Sequence, residues 1–186
     1  MSETAPHSVT DLRRAVFLDR DGTLNIEKNY LFRCEDWEWI PGAVTAIARI
    51  NALGFLAIVV TNQAGVARGL YGVADVARLH VHVDEMLAAA GARIDGYYMC
   101  PHHPEFGADC DCRKPRPGML LRAAAEFGIS LGDSFMVGDK AVDAQAAANA
   151  NVTPILVRTG HGEDVPDVTR VADVAAAVAY IAERAT

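Results

Sequence analysis

No stretch of this sequence approaches the ~18 consecutive apolar residues of a membrane-spanning helix. The segment Met1 to Arg14 is polar, without the apolar stretch of a signal peptide. Both absences lead us to expect a cytoplasmic protein. Cysteine is scarce, at four in 186 residues, too few for a disulfide scaffold. Basic residues are outnumbered, 17 against 24 acidic, for a formal net charge of −7. That balance disfavours a nucleic-acid partner, which needs clustered Lys and Arg. No Gly-x-x-x-x-Gly-Lys-Ser/Thr loop is present, which argues against a P-loop kinase or nucleotidyl transferase. Repeats, low-complexity tracts and interdomain linkers are also missing. Residues 1–186 are therefore expected to form one domain, with 1–14 as a polar lead-in.

What is there is apolar and finely divided: 51% of the residues are hydrophobic, in short runs bounded by turn residues. Ala15 to Leu18, Phe55 to Val60, Ile94 to Met99, Ser134 to Val137 and Thr153 to Val157 read as buried strands. Between them Gly42 to Leu53, Val73 to Ala90, Pro117 to Phe127 and Ala141 to Asn149 read as helices, and Val171 to Arg184 as a closing amphipathic helix. Strands alternating with helices predict an α/β fold, a doubly wound parallel sheet. Chemistry in such a sheet collects where strands end at their carboxyl edge. The polar clusters of this chain fall there: Asp19 to Thr23, Thr61-Asn62 and Gly138 to Asp143.

In Asp19-Arg20-Asp21-Gly22-Thr23 two carboxylates stand at i and i+2, on one side of an extended chain. Gly22 allows the sharp turn that frees nearby amides for an anion. A calcium loop also begins this way, but no helix precedes Asp19 and Tyr30 occupies the place of the bidentate Glu. Thr61 and Asn62 offer a hydroxyl and an amide to phosphate oxygens, and Arg113-Lys114 offers positive charge. Asp19, Asp21 and Asp139 brought together would repel one another. A hard dication removes that conflict, and magnesium suits a phosphate site.

Cys100-Pro101-His102-His103 and Cys110-Asp111-Cys112 form two short hooks of metal ligands. With all four positions filled by protein, a zinc there is structural. Either His102 or His103 can serve as the fourth ligand beside Cys100, Cys110 and Cys112. Cys34, remote in sequence, reads as an ordinary half-buried thiol.

The order Asp-x-Asp-Gly-Thr, strand-Thr-Asn, Lys, Gly-Asp-x-x-x-Asp resembles the haloacid dehalogenase superfamily. Within it the chain resembles the branch of heptose bisphosphate and histidinol phosphate phosphatases, from about Ala15 to about Gly160. The resemblance implies a Rossmann-like core with a small zinc loop at 100–112 and no large cap. It implies that Asp19 attacks phosphorus and that Asp21 is general acid and base. It makes Asp19, Asp139 and the main-chain carbonyl of Asp21 the Mg2+ ligands, with Thr61 and Lys114 stabilising the phosphoryl group. It selects His102 over His103 for Zn2+. Arg113 would meet the distal phosphate of a bisphosphate, with Asn62, Gln63, Lys140, Glu27 and Tyr30 on the substrate side.

Thr61-Asn62-Gln63-Ala64-Gly65-Val66-Ala67-Arg68-Gly69 and Gly138-Asp139-Lys140 look like the heptose enzymes, while the short loop between His102 and Cys110 is nearer the histidinol length. The substrate expected by resemblance is D-glycero-D-manno-heptose 1,7-bisphosphate, cleaved at the 7-phosphate on the way to nucleotide-activated heptose. Histidinol phosphate is the alternative. A non-enzymatic zinc module would leave the strand-end acids idle. We expect a monomer with a small-molecule substrate and neither nucleic acid nor membrane as partner.

Overall fold

A computed structural model of the protein describes residues 12–107 and 109–185; most of the polar lead-in lies outside them. The five apolar runs become strands β1 (Ala15–Leu18), β2 (Leu56–Asn62), β3 (Gly96–Cys100), β4 (Phe135–Gly138) and β5 (Thr153–Val157). A sixth, β6 (Thr169–Val171), completes a sheet of order β3-β2-β1-β4-β5-β6 in which every pairing is parallel. The helices are α1 (Ala43–Ala52), α2 (Ala64–Ala67), α3 (Val73–Ala89), α4 (Gly118–Phe127), α5 (Ala141–Asn149) and α6 (Val174–Ala182).

The period-two alternation of a strand sends β1 into two cores. Val16 and Leu18 pack with Ile47 of α1, Val83 of α3 and Val178 of α6. Ala15 and Phe17 pack with Met119 of α4 and Ala146 of α5. Every β1 residue is buried, which is why the run is apolar throughout rather than alternating. Fully burying a side chain such as Phe17 or Ile58 contributes about 2 kcal/mol.

Three boundaries differ from expectation. The anticipated closing helix divides: Val171 pairs with Val157 as strand, and Asp173 caps a shorter α6 by accepting from the Ala176 amide at 2.9 Å. β3 starts at Gly96, just after Asp95, whose amide donates to Ala57 O at 2.8 Å and whose carboxylate accepts the Ala57 amide at 2.9 Å. β2 runs through Asn62, so Thr61 and Asn62 belong to the strand itself.

β1 is where the strand order reverses, outward to β2 and β3, then back to β4, β5 and β6. The crevice beyond the carboxyl ends of β1 and β4 is the usual ligand site of such sheets. Above it the chain between β1 and α1 folds into a short flap, tied by Ile26 N–H to Glu38 O and Ile40 N–H to Leu24 O, both at 2.8 Å. Among the described residues no larger cap covers the crevice. No helix of the described residues is long and apolar enough to cross a membrane.

Candidate active site

A cavity of about 470 Å³ opens at the crevice and is lined by all ten residues expected to act in catalysis or to touch substrate. Asp19 leaves the end of β1 with its amide bonded to Val137 O at 2.9 Å, and it is almost wholly buried at the cavity floor. Lys114 reaches it from the loop after the zinc hooks. The ammonium lies 2.8 Å from Asp19 Oδ1, 2.8 Å from Val60 O and 2.7 Å from Asp143 Oδ1. The last is an ion pair without hydrogen-bond alignment, since that oxygen has no hydrogen-bond partner. Burial alone would lower the Lys114 pKa, but Asp143 and Asp19 outweigh it and hold the group charged. Asp143 also caps α5, its Oδ2 accepting the Lys140 amide at 3.0 Å. Its carboxylate thus holds the lysine and the helix start.

Ligand oxygens of Asp19, Asp139 and Asp143 lie within 4.8 Å of one another. Asp139, fully buried after β4, receives both His161 N–H at 2.7 Å and His161 Nδ1 at 3.2 Å on Oδ2. Its Oδ1 is buried with no partner at all. Burial raises the Asp19 pKa to about 6, with Asp143 and Asp21 adding and Lys114 opposing. Burial and the Asp19 charge likewise raise Asp139. An unsatisfied buried carboxylate oxygen among crowded acids fits a hard dication. Lys114 engages one oxygen of Asp19 but Asp143 has both oxygens engaged, by Lys114 and by the Lys140 amide, so Asp19 and Asp139 are the side chains with an oxygen free to hold it.

Protons and the cation therefore compete. The folded Asp19 pKa lies above its unfolded value, so this group favours the metal-free fold below pH 4 and withdraws that stabilisation as pH rises through about 6. Magnesium at about a hundred times its Kd is expected to add roughly 2.7 kcal/mol, or roughly 8 °C in Tm, at pH 8. By pH 5 that upshift should fall by at least about half as the acids protonate. Thermal melts with and without MgCl2 across this range measure it; an upshift independent of pH would contradict ligation by these acids.

Two glycines make room for Asp139. A Cβ on Gly22 (φ +86°) would lie 2.6 Å from Asp139 Oδ2, and one on Gly160 (φ +65°) would strike the same oxygen and lie 2.6 Å from Gly22 Cα. Only glycine tolerates both the backbone angle and the approach.

Asp21 is held by its own set of donors. Its Oδ1 takes Arg20 Nε at 3.1 Å, Arg20 Nη2 at 2.8 Å and Asn25 Nδ2 at 3.0 Å, and its Oδ2 takes Gln63 Nε2 at 3.0 Å. Burial would raise its pKa, but the Arg20 charge and these donors outweigh that and leave it lowered. Two residues expected on the substrate side also bond to the protein itself. Besides Gln63, Asn62 clasps the Lys114 backbone, Oδ1 accepting its amide at 3.0 Å and Nδ2 donating to its carbonyl at 3.1 Å. Arg113 donates to His102 O at 3.1 Å, and Lys140 stands 3.6 Å from Glu27 at the rim, near exposed Tyr30.

Arg20 and His161 were not anticipated. Arg20 carries a visible signal: it sits between two same-side acids, so strand alternation turns it inward, where a buried cation needs an anion. His161 lies in a loop without periodicity, and nothing in its neighbours marks it.

Cys100, His102, Cys110 and Cys112 converge with ligand atoms within 4.8 Å of one another. Cys112 Sγ is 2.8 Å from Cys100 Sγ and 3.3 Å from His102 Nδ1, and Cys110 Sγ is 3.7 Å from Cys100 Sγ. Burial pushes the Cys100 and Cys112 thiols up, an opposition that a dication bound to thiolates would relieve. Three soft donors and one imidazole could hold a tetrahedral zinc. His103 instead packs against Phe106, with ring centroids 5.6 Å apart. Cys34 is half-buried and apart, as expected.

The fold and the site define a hydrolase of the haloacid dehalogenase type, and a family model described as HAD-hydrolase-like matches residues 111–184. D-glycero-beta-D-manno-heptose-1,7-bisphosphate 7-phosphatases are similar: that of Photorhabdus laumondii is 45% identical over 152 residues, 78% of this chain and 81% of its own. That of Escherichia coli K12 is 47% identical over 152 residues, 78% and 80% of the two chains. The crystal structure of D,D-heptose 1,7-bisphosphate phosphatase from B. bronchiseptica, complexed with magnesium and phosphate, superposes with a TM-score of 0.84 at 35% identity, covering 92% of this chain and 99% of that one. The chain belongs to this heptose bisphosphate phosphatase family of haloacid dehalogenase-like hydrolases.

Proposed function

We propose that the protein removes the 7-phosphate of D-glycero-D-manno-heptose 1,7-bisphosphate through an aspartyl-phosphate on Asp19. The supporting observation is a buried carboxylate, Lys114 at 2.8 Å, opening on a cavity whose rim carries Arg113 and Lys140. Asp19 attacks phosphorus and the ester P–O bond breaks, while Asp21 gives a proton to the departing sugar oxygen. In the second step Asp21 takes a proton from water, which attacks phosphorus and releases phosphate from Asp19. Because Arg20 favours ionised Asp21, the substrate phosphate enters as its monoanion and passes its proton to Asp21, which hands it on to the departing oxygen and is again a carboxylate for the second step.

Lys114 and the Thr61 hydroxyl stabilise the phosphoryl charge, and Arg113 takes the distal phosphate bidentately. Magnesium, held by Asp19, Asp139 and the Asp21 carbonyl, supplies charge neutralisation. Zinc on Cys100, His102, Cys110 and Cys112 shapes the loop leading to Arg113. We read the chain as one cytoplasmic domain acting as a monomer, in a compartment that keeps those three thiols reduced.

Turnover on heptose 1,7-bisphosphate, fructose 1,6-bisphosphate and histidinol phosphate tests the substrate. We expect kcat/KM for the heptose to lead by at least about tenfold, with EDTA abolishing phosphate release. A preference for histidinol phosphate would overturn the substrate while sparing the mechanism.

A further inference from the structure

The Gln63 amide, 2% exposed, is fastened at both ends. Its Nε2 donates to Asp21 Oδ2 at 3.0 Å and to Thr61 Oγ1 at 2.9 Å. Its Oε1 accepts from the Tyr71 hydroxyl at 2.6 Å. The amide can have only one orientation here, because a carboxylate accepts and does not donate. Burial pushes the Tyr71 pKa up to about 12, so the phenol keeps its proton and is the donor.

Tyr71 is itself pinned. Phe32 of the flap stacks on its ring at 5.0 Å and 18°. On another side Gly65 of α2 lies so close that an added Cβ would collide with the ring and stand 2.7 Å from its hydroxyl oxygen. Gly65 has no positive φ to explain it; the tyrosine ring does.

Thr61 has one hydroxyl proton. With its oxygen accepting from Gln63, that proton is left for another acceptor, and Thr61 lines the cavity. Gln63 thus touches two groups at once, the carboxylate beside the leaving oxygen and the hydroxyl beside the phosphoryl oxygens.

We propose that Tyr71 is a positioning residue, locking Gln63 so that Asp21 and Thr61 are held in their working orientations. This rests on Asp21 acting as the general acid, as set out above. Without the phenol, Oε1 loses its donor, the amide is free to rotate, and both groups lose a fixed partner. The carboxylate suffers more where the leaving oxygen must be protonated.

Tyr71→Phe keeps the ring between Phe32 and Gly65 and removes only the hydroxyl. In the magnesium-loaded protein we expect Tm to fall by only about 3–6 °C, for the one buried hydrogen bond lost, and kcat/KM on the sugar phosphate to fall by about tenfold. On p-nitrophenyl phosphate, whose leaving group needs no proton, the fall should be no more than about threefold. kcat/KM is the right readout because it extends only through the first irreversible step, formation of the aspartyl-phosphate. In a Gln63→Leu background the same substitution should change neither value further. Equal losses on both substrates, no loss on either, or an undiminished effect without Gln63 would overturn the proposal. A wild-type protein that cleaves neither substrate would instead overturn the phosphatase reading.

Discussion

Asp19→Asn is expected to fold and to lose turnover by on the order of 10⁴-fold or more. The amide has nearly the shape of the acid but cannot attack phosphorus. The fold should tolerate it, because Lys114 keeps Val60 O and Asp143 as partners. Asp139 and Asp143 lose a crowding neighbour, since Asp19 adds to the raised pKa of Asp139. Without magnesium the variant should therefore melt no lower than wild type at pH 8, and its magnesium upshift should be smaller. Phosphate release measures the first effect and thermal melts the second. Near-wild-type turnover would remove Asp19 from the reaction.

The second large effect concerns the zinc loop. Cys100 ends β3 fully buried and Cys112 packs beside it in the same core as Phe17 and Met119. Two thiols of this cluster thus belong to the sheet and its packing. Cys112→Ser should abolish stoichiometric zinc and lower stability by on the order of 4 kcal/mol, roughly 12 °C in Tm for a chain of this size. Because Arg113 and Lys114 follow directly in sequence, kcat/KM should also fall by at least about tenfold. Metal analysis, melting and kinetics on one preparation decide it. A zinc-free variant with both Tm and kcat/KM intact would mean that these side chains hold no structural ion.

The strand-end acids and the two hooks were legible because their residue types are unusual where they stand. Asp19 and Asp139 each follow an apolar run, and a run buried on both faces has one reading. What was illegible depends on three-dimensional approach. That Asn62 and Gln63 turn inward cannot be known until Lys114 and Asp21 are placed beside them, 52 and 42 residues away in sequence. Asp143 as the counter-ion of Lys114 likewise joins the first turn of α5 to a distant loop. β6 was missed for a local reason: Thr169-Arg170-Val171 is too short for alternation to show, and the apolar residues of α6 follow almost at once.

That brief strand settles how one side of the sheet ends, the side opposite β3. A rim strand offers unpaired amides and carbonyls to any other chain that can lie beside it, and a long, flat, oily rim invites fibrils. Here the rim is three half-buried residues, one of them an arginine ion-paired to Asp164, with an aspartate following at Asp173. Neighbouring copies find little to template on along this rim, so the sheet is closed to lateral growth on its β6 side.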